Sequence, residues 1–340
     1  MVTTNSIMVP LFSRMLLWLV CGWVVPAAAV SAAPARPLRI AYTHYYACVP
    51  LGIAEDQQYW RDAGLSVELR GYQTSQEVIA AVTAGEVDVG YDRLATWVDL
   101  ALKGTPIAIL GETDWSHGGD KLLVRNGRNL AQLKGRPIAV YLRGSALMLF
   151  LREALAKEQL TLAEYPIIEV PEQEKALELF REGKVDVVVI NEPWASRVES
   201  AGARTVATTA DFPGVSPEGF AARVGALDDA TARRFFTAWF RAVNFLRDPA
   251  RAEQVANIAS VYAFAGTEAI TAGDVANYAR ITPVHDAATA LKENDLAAGN
   301  IKHLINRLSL LRRLQGQPVP EAKIAAYFQL EALLAVAGGP

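Results

Sequence analysis

From residue 38 onward, short runs of apolar residues are separated by stretches whose apolar positions recur at helical spacing. That is the pattern of parallel βα units. Leu38–Tyr42 reads as a strand, followed by a helix over Gly52–Asp62 and a strand over Leu65–Leu69. Thr74-Ser-Gln-Glu77 is a capping-box sequence, in which hydroxyl and carboxylate satisfy each other's free backbone N–H groups. It predicts a helix over Val78–Ala84, stopped by Gly85. Val87–Val89 and Pro106–Leu110 are the next predicted strands.

The same order then returns. Arg136–Val140 is a strand, Ser145 caps a helix from Ala146 to about Glu158, and Ile167–Val170 is a strand. A helix over Ala176–Arg181 ends at Gly183, before the apolar strand Val185–Ile190. Ile40 and Ile138 are 98 positions apart, as are Gly85 and Gly183, and Gly85-Glu-Val-Asp-Val89 echoes Gly183-Lys-Val-Asp-Val187. Two landmarks in one register indicate a duplicated βα lobe. After Pro217 a strand-like run, Gly219–Val224, precedes helices at Ala230–Arg247, Arg251–Tyr262, Thr271–Ala279, Ala297–Leu314 and Pro320–Val336. The architecture expected is α/β, with two lobes and a ligand cleft between them. Residues 36–122 and 219–340 form the first lobe, and residues 123–218 the second.

The N-terminus has the order of a secretory signal peptide: Arg14, an apolar run Met15–Val25, Pro26, then small residues from Ala27 to Ala35. The run is too short for a bilayer, which needs roughly 20 residues. Cleavage after Ala32 (residues 1–32 removed) predicts an exported, periplasmic chain with Cys48 as its one cysteine and therefore no internal disulfide. Lys plus Arg number 33 against 36 Asp plus Glu, so there is no basic excess for a phosphate backbone and nucleic acid is not an expected partner. The four histidines (His44, His117, His285, His303) lack paired metal spacing, and phosphate-loop and nucleophile-elbow motifs are missing. No cofactor, metal or catalytic residue is expected.

Ligands of open α/β sheets bind beyond the carboxyl ends of the strands, near helix N-termini. Those positions hold Thr43–Tyr46, Thr74 and Ser75, Tyr91 and Asp92, Thr113–Ser116, Arg143–Ser145 and Asn191–Trp194. From them the candidate ligand residues are Tyr45, Tyr46, Thr74, Ser75, Asp92, Asp114, Ser116, Asp120, Ser145, Glu192 and Trp194. Thr74, Asp92 and Ser145 are equally readable as helix caps, and Tyr45, Tyr46 and Trp194 as core aromatics. Capped helix starts favour an anionic ligand group. The acidic residues and aromatics favour an ammonium or guanidinium.

The pieces Leu51-Gly-Ile-Ala-Glu-Asp56, Gly64–Leu69, Ala84–Val89, Asp114-Trp-Ser-His-Gly-Gly-Asp120, Leu133–Val140, Gly183–Val187 and Glu192-Pro-Trp-Ala-Ser-Arg197 stand in order over residues 37–265. With them the chain resembles the periplasmic substrate-binding proteins of ABC importers in the nitrate/sulfonate/taurine group, which includes binders of thiamine-pyrimidine precursors. The resemblance implies the type II periplasmic binding fold, with hinge strands near Leu122–Arg125 and Gly219–Val224. It also implies a monomer that hands a small solute to a membrane permease driven by a separate ATPase. The family's ligand loops fall on Tyr45, Thr74, Asp92, Asp114, Ser145 and Glu192. The ligand expected is a small sulfonate or amino-sulfonate, with a cationic nitrogen compound or pyrimidine precursor as the alternative. A sensor for a membrane receptor and a pyrimidine-synthase-like enzyme are the readings from other classes.

Overall fold

The strands of the described residues fall into two five-stranded sheets of the same design. They are β1 (Leu38–Thr43), β2 (Val67–Tyr72), β3 (Val89–Arg93), β4 (Ile107–Trp115), β5 (Asp120–Arg125), β6 (Ile138–Tyr141), β7 (Ile167–Val170), β8 (Val187–Asn191), β9 (Ala203–Thr208) and β10 (Pro217–Arg223). The computed structural model describes residues 36–141, 145–192, 194–266 and 269–339. The expected signal peptide, with Arg143, Gly144 and Pro193, lies outside the described residues.

The first sheet has the order β2-β1-β3-β10-β4 and the second β7-β6-β8-β5-β9. In each, three strands run parallel, and the fourth runs antiparallel between two neighbours. That fourth strand, β10 or β5, is the first one the chain lays down after crossing from the other lobe. This exchange fixes the lobe boundaries and corrects the sequence-based ones. Leu122–Arg125 and Gly219–Val224 lie within the sheets, β5 hydrogen-bonded between β8 and β9, and β10 between β3 and β4. The crossings are residues 116–119 and 209–216. Asp120–Leu122 therefore belong with the second sheet, and Pro217 and Glu218 with the first.

The echoed motif is a structural clamp. Asp88 accepts from the Arg36 and Arg39 guanidinium groups and from the Arg39 backbone N–H at 3.0 Å, pinning the start of β3 to β1. At the equivalent place Asp186 pairs with Arg125 at 2.6 Å and Arg136 at 3.3 Å. Gly85 and Gly183 precede them at φ 75° and 70°, the left-handed conformation that ends a helix cheaply only in glycine. Burial works to raise the Asp88 carboxyl, but its arginine and backbone donors hold it down to about 2. Its contribution to stability is thus complete above the ordinary aspartate range and is lost as pH falls from about 4 towards 2. Urea melts of Asp88→Asn and the parent at pH 6, 3 and 2 should show a gap that shrinks on acidification. A gap independent of pH would refute this role.

The C-terminal helices cover an exposed sheet edge. β4 is an edge strand, and unpaired edges invite aggregation. Here the Ile109 N–H donates to Tyr327 O at 2.8 Å, Gln329 N–H to Ile109 O at 2.8 Å, and His285 N–H to Thr113 O at 2.7 Å. The Asn294 amide exchanges two further hydrogen bonds with the Glu112 backbone, at 2.7 and 2.9 Å. Helix Asn300–Leu314 then reaches both lobes. Arg312 pairs with Asp99 of helix Leu94–Leu102, while Arg307 donates to Gly214 O at 3.0 Å and approaches Glu153 of helix Ser145–Lys157 at 3.9 Å. One apolar cluster runs beneath these pairs, from Trp97 and Val98 through Leu147 and Leu151 to Leu304 and Leu308. Asn300–Leu314 is therefore a tie behind the crossings. No helix among the described residues is long and apolar enough to cross a membrane.

Candidate functional site

The carboxyl ends of the parallel strands of both sheets face one cavity of about 190 Å³. The first lobe contributes the residues after β1 and β2, the end of β3 and the start of the antiparallel β10; the second contributes the ends of β6 and β8 and the start of helix Gln173–Arg181. Three pairs of wall residues stand 98 positions apart, in the register of the duplication: Thr43 with Tyr141, Ser75 with Gln173, and Arg93 with Asn191. The two halves thus bring the same three structural positions to one cavity with different side chains.

Of the expected ligand residues, Tyr45, Thr74, Ser75, Asp92, Glu192 and Trp194 line this cavity. Thr74 also closes the capping box, with Glu77 N–H donating to its Oγ1 at 3.3 Å and its own N–H donating to Glu77 at 2.9 Å. The Tyr45 hydroxyl lies 2.7 Å from Thr282 Oγ1. Burial pushes its phenol well up, with Glu218 and Asp114 adding to the effect. Glu192 is already engaged. Lys121 Nζ stands 2.6 Å from it, and Ser196 donates to it from N–H at 3.1 Å and from Oγ. Burial alone would raise the Glu192 carboxyl, but these donors hold it below its ordinary range. The Trp194 ring carries the Arg197 guanidinium over it, 4.2 Å from the centroid.

Four expected residues do not line the cavity. Tyr46 is buried in the core, stacked on Tyr278 with ring centroids 5.6 Å apart. Ser116 belongs to the crossings: its Oγ lies 2.8 Å from Thr209 Oγ1 and accepts from Asp120 N–H at 3.2 Å, joining the outgoing and returning segments. Asp114 and Asp120 sit beneath the floor. Asp114 is inside β4 rather than in a loop after it, because β4 continues to Trp115, and it accepts from the Tyr91 hydroxyl. Ser145 begins its helix, and its side chain lies outside the described residues.

The floor is built from cross-strand neighbours. Glu218 of β10 is flanked in register by Arg93 of β3 and Asp114 of β4. Arg93 bridges the lobes, donating to Asp120 at 3.0 Å and standing 3.6 Å from Glu218. Burial, reinforced by the Asp114 charge, pushes Glu218 well above the carboxylate range. Asp114 is raised to about 7, again chiefly by burial. Burial would lower Arg93, yet the carboxylates around it keep it firmly charged.

Arg93, Tyr141, Gln173 and Glu218 also line the cavity and were not among the expected residues. The register of 98 positions, applied to Thr43 and Ser75, points to Tyr141 and Gln173, and Arg93 simply follows Asp92. Glu218 carries no local signal, because only the return of β10 into the first sheet brings it there. Among the described residues no group of three or more His, Cys, Asp or Glu could hold a metal ion.

Similar folds are known at low sequence identity. The ligand-binding component of an ABC-type import system from Staphylococcus aureus, solved with zinc bound, is 15% identical, covers 88% of this chain and 98% of its own, and superposes with a TM-score of 0.65. The alkanesulfonate-binding protein SsuA from Xanthomonas axonopodis pv. citri, bound to MOPS, is 19% identical over 88% of this chain and 100% of its own, with a TM-score of 0.66. The periplasmic nitrate-binding protein NrtA from Synechocystis is 13% identical over 89% and 88%, with a TM-score of 0.65. No curated protein matches the sequence. The two duplicated sheets, with their exchanged strands and shared cavity, are the type II periplasmic binding fold that the sequence resemblance implied. The sequence profile of the NMT1-like family matches residues 31–260, and the chain belongs to that family.

Proposed function

We propose that this protein is the extracytoplasmic receptor of an ABC importer, capturing a small polar solute between its lobes and delivering it to a membrane permease with a separate ATPase. The carrying observation is a cavity walled by both lobes at equivalent strand ends, since a ligand touching both walls favours the closed arrangement over the open one. The S. aureus, Xanthomonas and Synechocystis structures, named for ligand, alkanesulfonate and nitrate binding, support the same reading.

The test is a thermal-shift panel on protein refolded to strip carried solute, spanning anions, cations, zwitterions and neutral polar compounds. A ligand at about 1,000 times its Kd stabilises by roughly 4 kcal/mol, which raises Tm by several degrees. One responding class, together with a smaller radius of gyration in its presence, is the expected result. Flat melting across the whole panel would count against a receptor.

A further inference from the structure

Resting on the receptor reading, we propose that the ligand is a small nitrogen cation with several N–H donors, an alkylammonium or guanidinium compound, anchored on Asp92. Asp92 is 6% exposed and lies on the cavity wall. Its Oδ1 accepts from the Arg93 backbone N–H at 2.7 Å; its Oδ2 is shielded from solvent and makes no hydrogen bond of normal geometry, although the Ser75 and Thr96 hydroxyls lie near the carboxylate, and burial raises its pKa. Buried polar atoms are nearly always satisfied, so such an oxygen on a binding wall marks the place of a donor that comes from outside the chain. The side-chain oxygens of Asn191 and Gln173, on the wall of the other lobe, are also shielded and unpartnered. The cavity therefore offers acceptors from both lobes to one donor-rich ligand.

The charges agree with the hydrogen bonds. Asp92 and Glu192 line the cavity, with Glu218, whose burial favours its protonated form, on the floor. Among the described residues Arg93 is the one guanidinium on the wall; it donates to Asp120 at 3.0 Å, while its Nε, 3.6 Å from Glu218, is shielded and makes no hydrogen bond. Lys121 is committed to Glu192 at 2.6 Å. His44, also on the wall, has its Nδ1 3.1 Å from Tyr262 O, leaving only its other nitrogen to turn towards a ligand. A sulfonate or nitrate brings acceptors alone and would leave Asp92 Oδ2 unpartnered, so this oxygen does not favour the sulfonate expected from the sequence. Tyr45 and Tyr141 add aromatic rings of the kind that attract cations, as the Trp194 ring already attracts Arg197.

Titration calorimetry on the refolded chain with methylguanidinium, ethylammonium and putrescine, against methanesulfonate and nitrate, tests the assignment. At least one cation should bind and neither anion should. Asp92→Asn, which keeps the shape and the fold, should weaken that cation roughly 10- to 100-fold, the usual range for a hydrogen bond to a charged group. Binding of an anion without a cation would overturn the inference and leave the receptor reading standing. Unchanged cation affinity in Asp92→Asn would overturn the role of Asp92. A chain that answers to neither class here, yet to a neutral solute in the wider panel, would also overturn the inference; silence in both would sink the receptor reading as well.

Discussion

Gly219→Val should fail to accumulate as folded protein, or should melt at least about 4 kcal/mol below the parent, among the largest effects a single substitution produces. Gly219 lies in β10, the strand between β3 and β4, where the register with β4 shifts twice. A Cβ built there falls inside the van der Waals boundary of the Gly111 carbonyl oxygen and close to Glu112 Cα. Both are backbone atoms, so no side-chain rotation relieves the clash. The Gly219 carbonyl also accepts from Trp97 Nε1 at 3.3 Å, and Phe220 beside it meets the rings of Tyr91, Phe235, Phe236 and Trp239. Moving β10 to make room would unpack that aromatic group and displace Glu218 from the cavity floor. Circular dichroism melts of purified Gly219→Val settle the matter; a Tm within a degree or two of the parent would show that the sheet yields here, contrary to the packing.

Glu112→Ala should destabilise the chain by about 3–5 kcal/mol, the usual cost of leaving buried charged or polar partners uncompensated. Glu112 is wholly buried. Its Oε1 lies 3.1 Å from His285 Nε2, and its Oε2 accepts from Asn300 Nδ2 at 3.0 Å. Alanine leaves both donors in a dry site, at the point where the C-terminal segment covers the edge of β4. The loss should therefore be local first. Hydrogen exchange is expected to quicken at Ile109 and Gln329, whose N–H groups bond across that edge, before it quickens in the second sheet. Glu112→Gln retains the shape and an acceptor for one partner, and should lose clearly less. Equal losses for alanine and glutamine would show that the carboxylate's two bonds are not what holds the tail.

The parallel core of each lobe was legible because its signals are local. Alternation and helical spacing mark the elements, Thr74 and Glu77 write their capping box into adjacent residues, and Gly85 and Gly183 end helices in a conformation that favours glycine. The boundaries slipped where pairing rather than propensity decides them. The strand expected to stop at Leu110 runs to Trp115, because β10 supplies partners along its whole length. The expected helix Gly52–Asp62 is broken into Val49–Asp56 and Tyr59–Asp62 at Gln58, which takes a left-handed φ of 59° without being glycine. β9 has no strong pattern, being half exposed on the sheet edge.

The site divides along the same line. Tyr45, Thr74, Ser75, Asp92, Glu192 and Trp194 were readable because strand ends and helix starts can be located from sequence, and a ligand cleft in this architecture lies beside them. Asp114, Ser116 and Asp120 looked equivalent on that basis and differ only in depth. One element extends past them or crosses between lobes, so their side chains tie strands and crossing segments together beneath the cavity.

By itself the sequence determined the repeat of a βα lobe, the class of fold and the family, because these rest on spacings and caps that neighbouring residues set. Only the tertiary structure decided that each lobe is completed by a strand from beyond the crossing, that the last helices cover β4 and tie the lobes together, and that Glu218 joins Asp92 around one cavity. Those outcomes depend on contacts between residues more than sixty positions apart, as Val124 and Val187 are and as Asp92 and Glu218 are by twice that distance, and the free energy of such contacts leaves no periodic trace along the chain.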